Sequence, residues 1–378
     1  LIYRIIFLLL YSVHLKNTAE NIVQTIKDYR AKDGLRIDTD HVIKWVSQFD
    51  EADQSFLLDE LLHILKQTYF SEQRTLDSIF TFFARLTKDL KYKSPVALLS
   101  NTYFISSQET EKSQPEILNL LYANLYQKYG IDRKYIGSQS KKVVIYLDDV
   151  LATGKTTFRD LKKFLENKSK DDTNTLYADL LKTAKFDLVV YTVCRHSWGG
   201  ANVDFRIKQA FGEPVRKRIK YYCTFEVENH VTAYNQKYNC VYPVNPNSDF
   251  VNEYFERIDT GKHSKHEKYA FRKNHLPKQE TFFTSPANRI RYENILLLKG
   301  IEILNKVDTL NVKSIRPLGY TVKSHKTLGL GTQFFTWRNI PNNTPLVFWW
   351  ENHGWYPLFP VKNRGQKGSK VMTLFDGL

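Results

Sequence analysis

Apolar residues fall at helical spacing through the first ninety positions, then condense into short, almost continuous runs. Val42, Ile43, Trp45, Val46 and Phe49 mark one amphipathic helix, and Phe56, Leu57, Leu58, Leu61, Ile64 and Leu65 mark a second, with Asp53 as its cap. Residues 75–90 predict a third. This pattern predicts a helical N-terminal region over residues 1–91. From residue 94 the spacing changes. Residues 95–99, 143–147 and 186–194 read as buried strands, and residues 219–227 alternate as an edge or half-buried strand does. Between them, residues 115–129 predict a helix with Pro115 in its first turn and Gly130 as its stop, and residues 158–165 predict another. Strands alternating with helices predict an α/β core, a parallel sheet covered on both faces, over residues 92–260. Residues 261–378 predict a basic linker followed by an α+β lobe rich in glycine and aromatics. That lobe carries a polar, glycine-rich segment around His325 and Lys326 and an aromatic end at Trp349 and Trp350.

Composition narrows this little. At 42% hydrophobic and 14% aromatic residues, the 378-residue chain has ample material for a folded core and is not a disordered protein. The net charge of +15 points to polyanions: nucleic acid, a phosphorylated ligand or an acidic partner. Nine Lys, Arg or His residues between Lys262 and Lys278 make the strongest local field, and Tyr269 and Phe271 among them suit contact with nucleic acid. Three cysteines with no CxxC spacing argue against a disulfide framework or a zinc site and fit a reducing cytoplasm. The apolar start, residues 1–11, is shorter than the roughly 20 residues that span a bilayer. It reads as a buried first helix or a mis-set start, and no membrane association is expected.

The densest chemistry lies at residues 143–157. Four apolar residues lead into Asp148 and Asp149, and a small polar turn then opens a helix. Strand, loop and helix start in that order make an anion site from backbone N–H groups. Carboxylates at the carboxyl end of the strand stand where open α/β sheets place their ligands. Phosphate cradle and carboxylates together suit a phosphorylated sugar. Gly154-Lys155-Thr156 superficially matches the end of a P-loop, but the position that must be glycine there is Asp149, whose charge would repel a triphosphate.

This segment resembles the phosphoribosyl diphosphate motif of type I phosphoribosyltransferases, with Tyr146 bulkier than the usual aliphatic residue. The resemblance implies that Asp148 and Asp149 face the ribose hydroxyls, act in catalysis and hold Mg²⁺. It also implies that Ala152, Thr153, Gly154, Lys155, Thr156 and Thr157 wrap the 5′-phosphate. The implied reaction is displacement or hydrolysis at ribose C1 of phosphoribosyl diphosphate or a nucleotide, the transfer of a pentosyl group. The helical region around Trp45, the Asp-Asp motif and the aromatic end also resemble phosphoribosyltransferase-like effectors of prokaryotic anti-phage and retron cassettes. That resemblance implies a nucleic acid or reverse-transcriptase nucleoprotein partner. A non-catalytic nucleotide-sensing or partner-binding module on the same fold is the alternative.

If the sheet is parallel, Ser100, Asn101, Arg195 and His196 also fall at strand carboxyl ends and are expected to converge with the acidic pair on one crevice. In that crevice His196 is the candidate general acid or base. Ser100 and Asn101 offer no cation for a diphosphate, so Arg195 or Lys326 is expected to supply one. His325 and Lys326 are expected to join the ligand site or its lid.

Overall fold

The computed structural model describes residues 2–108, 112–169, 174–230, 237–261, 264–307, 313–352 and 354–361, with side chains described from Leu10 onward. In chain order the main elements begin with α1 (Ile2–Ile26), α2 (Thr39–Val46), α3 (Glu51–Thr68) and β1 (Tyr69–Phe70). Then come α4 (Glu72–Asp89), α5 (Pro95–Ser100), β2 (Thr102–Phe104), α6 (Ser113–Tyr129), β3 (Val143–Leu151) and α7 (Lys155–Glu166). After these follow α8 (Tyr177–Lys182), β4 (Asp187–His196), α9 (Ser197–Arg216), β5 (Ile219–Val227), α10 (Asp249–Glu256), α11 (Pro286–Asn305) and β6 (Phe335–Thr336). The chain divides into two compact units, residues 73–227 and residues 1–72 with 228–378.

The unit of residues 73–227 holds a four-stranded sheet in the order β2-β3-β4-β5, every neighbour parallel. Val143 to Leu147 and Leu188 to Val193 are buried throughout, as strands covered on both faces must be. On one face Val144, Tyr146, Leu188 and Val190 join Leu161 and Leu165 of α7 with Val203 and Ile207 of α9 in one apolar cluster. On the other, Tyr191 stacks on Phe82 of α4, ring centroids 4.2 Å apart, and Phe104 packs edge-on against Phe83 of α4 and Tyr122 of α6. Fully burying side chains of this size contributes about 1.5–3 kcal/mol each.

The expected first strand is a helix. Ser94 caps α5, its side chain accepting from the Ala97 N–H, and Pro95 takes the first helical position where no N–H is needed. The apolar run of residues 95–99 is the buried side of that short helix, and the strand begins three residues later at Thr102. The motif strand also differs from expectation. Instead of stopping at the acidic pair, β3 continues to Leu151, so Asp148 and Asp149 point to opposite faces of the sheet.

The other unit joins the two ends of the chain. The Trp45 indole of α2 donates to Val347 O at 2.8 Å and stacks on Phe348, and Phe49 meets Trp355 edge to face. Tyr69 and Phe70 pair in parallel with Phe335 and Thr336. Trp349 and Trp350 are buried here. The divisions at residues 91 and 260 therefore do not follow the compact units. The third N-terminal helix belongs with the sheet, while α1 to α3 form one unit with the C-terminal segment instead of a separate lobe. The reason is long-range burial: the apolar face of α2 is completed by side chains some 300 positions downstream.

Candidate ligand site at the acidic strand end

The carboxyl end of β3 turns through residues 152–154 into α7. Gly154 takes the left-handed conformation, φ 78°, that a side chain would resist. It also fits a space without room for one: a Cβ there would stand 2.6 Å from Gly199 O and from Val203 Cγ2 of α9. The first turn of α9 lies just as close to the loop, since a Cβ on Gly199 would stand 1.8 Å from Ala152 O. Asn202 Nδ2 donates to Thr153 O at 2.8 Å. The loop is thus braced through its carbonyls by α9, and the turn enters a twelve-residue helix whose N-cap, Gly154, offers no side-chain acceptor. Lys155 and Thr156 are exposed at the opening turn, and Thr157 is buried. The Lys155 N–H reaches Thr153 Oγ1 at 3.5 Å, and the first-turn N–H groups and the positive end of the helix dipole suit an anion at this turn.

The two carboxylates beside the loop are unlike. Asp149 is part-exposed and its Oδ1 accepts from the Val150 N–H at 2.7 Å. Asp148 is buried, and its oxygens are already engaged. Oδ1 accepts from Ser113 Oγ at 2.6 Å and from the Asp149 N–H at 2.9 Å, and Oδ2 accepts from Gln108 Nε2 at 3.0 Å. Tyr146 Oη lies 3.0 Å from the same Oδ2 and 3.2 Å from Asp160 Oδ2. Burial, and then the charge of Asp149, push the Asp148 carboxyl up to about 7, against the opposing effect of its hydrogen bonds.

A family model, PRTase-CE, matches residues 42–361. The chain belongs to the PRTase-CE family. It is a phosphoribosyltransferase-type family, and its match spans both compact units. No curated protein and no solved structure matches the chain.

Within this PRTase-CE chain the remaining expected site residues fall in several places. Arg195, the residue before the last of β4, lies at the carboxyl end of the strand, but its guanidinium bonds Glu226 of β5 at 2.8 Å. His196 follows it and is fully buried, and that burial pushes its imidazole down to about 3. It is therefore neutral near pH 7, at the junction of β4 and α9. Ser100 and Asn101 end α5 and precede β2, and Asn101 O accepts the Val143 N–H at the start of β3. They stand at the amino end of the sheet, opposite the acidic pair, because the strand they were expected to follow is the one that follows them. His325 and Lys326 belong to the other unit. Lys326 pairs with Glu267 at 3.0 Å and Glu256 at 3.4 Å, and the His325 ring lies 4.4 Å from that of His266.

The loop that does leave the carboxyl end of a first strand is the one after β2. It carries Ser107, Gln108 and Lys112 and leads to Ser113 at the start of α6. Ser107 is held by Gln114 Oε1, which accepts its N–H at 2.9 Å. Sequence reasoning missed Gln108, Ser113 and Asp160. The signal that locates them is the Ser94-Pro95 capping pair, which makes residues 95–99 a helix and shifts the strand onto Thr102.

The basic stretch is divided as well. Arg272 is buried in an ion pair with Glu293, while Lys265, Lys268, Lys273, His275 and Lys278 are exposed, and Lys262 and His263 lie outside the described residues. No helix among the described residues is long and apolar enough to cross a membrane.

Proposed function

We propose that this phosphoribosyltransferase-like protein binds phosphoribosyl diphosphate or a related nucleotide at the carboxyl end of β3. The 5′-phosphate would sit on the N–H groups of residues 153–157, and the Asp149 carboxylate would accept from the ribose hydroxyls. The observation that carries this is the brace of α9 on the loop. Gly199 and Asn202 occupy its carbonyl side, an arrangement that suits a loop whose N–H side meets a ligand.

Mg²⁺ fits only in part. No group of three or more metal-binding side chains occurs among the described residues, and Asp148 is already surrounded by donors. Asp149 fits an ion held mainly by ligand oxygens and one carboxylate. Bound there, Mg²⁺ would neutralise charge on a departing diphosphate. Lys112 is the described cation of the loop after β2 and is exposed. Transfer or hydrolysis at ribose C1 would then rest on positioning and on stabilising the leaving group.

A second reading has a specific observation behind it. With His196 sealed and Arg195 paired, the two groups expected to act on the substrate are committed elsewhere, which favours a module that senses phosphoribosyl compounds without turning them over. In either case the anti-phage setting implied by the sequence resemblance would place this site in an effector controlled by a nucleic acid or nucleoprotein partner in the cytoplasm. Release of diphosphate from phosphoribosyl diphosphate, followed with and without Mg²⁺, separates the two readings. Steady release supports the enzyme, and binding without release supports the sensor.

A further inference from the structure

Arg316 is a buried cation without a carboxylate partner. It is 3% exposed, and among the described residues no acid lies within ion-pair distance of it. Asp259 is the acid whose charge reaches it, and that carboxylate is committed to Lys313 and to the Gly261 N–H. The guanidinium donates through Nη1 to Lys313 O at 2.6 Å and Ile315 O at 2.8 Å. Nη2 reaches His325 O at 3.4 Å, long for a hydrogen bond, and Nε is buried with no partner. The Nε and Nη2 edge is the side of a guanidinium that meets an oxyanion with two parallel N–H bonds, and here it is almost unspent. Arg272 and Arg289 of the same compact unit show the contrast, since Glu293 and Glu280 meet both of them. A buried charge with its fork unspent is costly unless an anion completes it.

Other positive groups share this corner of the unit. Lys265 bridges to His325: its N–H bonds Ser324 O at 2.9 Å and its carbonyl accepts from the Lys326 N–H at 2.9 Å. The rings of His266 and His325 lie 4.4 Å apart. Burial, and then the positive charge of His266, Lys265 and Arg316, push the His325 imidazole down to about 4. Lys313 adjoins through the carbonyl that Arg316 holds, and Lys323 stands two residues before His325. Lys265, Lys313 and Lys323 are exposed and the two histidines half-buried, so the buried fork has an accessible border of its own sign. Lys326 is outside the group, its ammonium turned to Glu267 and Glu256.

We propose that Arg316 anchors a second anion site, distinct in its residues from the acidic strand end, and that the site takes a phosphate group. Two phosphate oxygens would lie on the Nε and Nη2 edge, displacing the long contact to His325 O, and Lys265 with the two imidazoles would donate to the others. A carboxylate would be satisfied by the fork alone. The further donors and cations suit a group with more oxygens and more than one negative charge. The site does not rest on the phosphoribosyl reading, because none of its residues belongs to residues 73–227.

The test titrates inorganic phosphate into the full chain and follows the ring resonances of His266 and His325, each assigned by its His→Gln variant. Both should shift saturably with one shared Kd, and chloride at matched ionic strength should leave them in place. Arg316→Lys keeps the charge and loses the fork, so the Kd should rise about tenfold or more. Lys265→Gln combined with Lys323→Gln should raise it about tenfold, and this pair decides the question if Arg316→Lys fails to fold, since both lysines are exposed. Adenosine 5′-monophosphate is the second probe. Tighter saturation of the same two rings assigns the site to a phosphate ester, and a response to free phosphate alone assigns it to the inorganic ion. Rings that do not move with either probe, that move equally with chloride, or that respond unchanged in both the folded Arg316→Lys and the lysine double variant would overturn the proposal.

Discussion

Buried charge occurs in both compact units, and the two clusters are balanced differently. In the unit of residues 1–72 and 228–378, Arg272 and Arg289 meet Glu280 and Glu293, two cations against two anions, all almost fully buried. Their remaining donors and acceptors reach the backbone. Arg289 donates to Cys240 O at 3.1 Å and to Tyr238 O, and Arg272 donates to Tyr242 O at 2.8 Å. Glu280 accepts from the N–H groups of Phe282 and Phe283 at 2.8 Å each. In the unit of residues 73–227, Asp148 and Asp160 share Tyr146 and Gln108, Asp149 is the chain neighbour of Asp148, and the one arginine paired with the group, Arg159 on Asp160, has a side chain more than half exposed. A cluster that neutralises itself fixes loops to a core. A cluster with excess negative charge leaves a deficit for a proton, or for the hydroxyls and cation of a ligand, to fill.

The comparison is broken most forcefully from the balanced side. Arg289→Ala leaves Glu280 without its ion-pair partner and Glu293 with Arg272 alone, and denaturant unfolding should show a loss of about 3–5 kcal/mol. A loss below about 1 kcal/mol would mean that the cluster is no clamp. On the unbalanced side, Gly199→Ala should act on ligand binding more than on folding, because its new methyl group would displace Ala152 O and the loop with it. Overpacking of that kind costs about 1–3 kcal/mol, so the affinity for phosphoribosyl diphosphate should fall by about tenfold while the circular dichroism spectrum is retained. Gly154→Val should likewise harm binding more than Lys155→Ala, since only the first changes a left-handed backbone position.

Smaller effects follow from pH and from the surface. The folded pKa of His196, about 3, lies below its ordinary value of about 6.5. The unfolded chain therefore binds the extra proton across that window, and stability should fall as pH drops from about 6.5 toward about 3. Asp148 has the opposite sign. Its folded pKa is raised to about 7, so its contribution is fully present below about 4 and is lost as pH rises toward about 7. Chemical denaturation across this range should show His196→Gln flattening the acid limb and Asp148→Asn flattening the other. The mildest change is reversal of Lys265, Lys268 and Lys273, all exposed. If the basic stretch meets nucleic acid, each lost phosphate contact should reduce the salt slope of binding by about one, with the fold intact. An unchanged slope in a fluorescence titration would leave these residues as a solvated loop.

What the sequence showed of this organisation depended on range. The strand, loop and helix around Asp148 to Thr157 are local and were legible from apolar spacing and turn residues alone. So was the parallel order of the central strands, from their continuous apolar runs. Residues 95–99 misled because five apolar residues suit a strand or the buried side of a short helix, and the capping pair Ser94-Pro95 decides between them. The unit boundaries were not legible, since Trp45 is completed by Val347 and Phe348 and no local pattern links them. The position of His196 was legible but its burial was not. Gln108, Ser113 and Asp160 became site residues only once the register of β2 beside β3 was fixed.

The most direct test of the proposed phosphoribosyl site is a calorimetric titration of the full chain with phosphoribosyl diphosphate and Mg²⁺, repeated with Asp149→Asn. The expected result is saturable one-to-one binding by the wild type and a loss of about tenfold or more in the variant, with ribose 5-phosphate competing through the same loop. No binding by the folded wild type, or equal affinity in the folded variant, would contradict it.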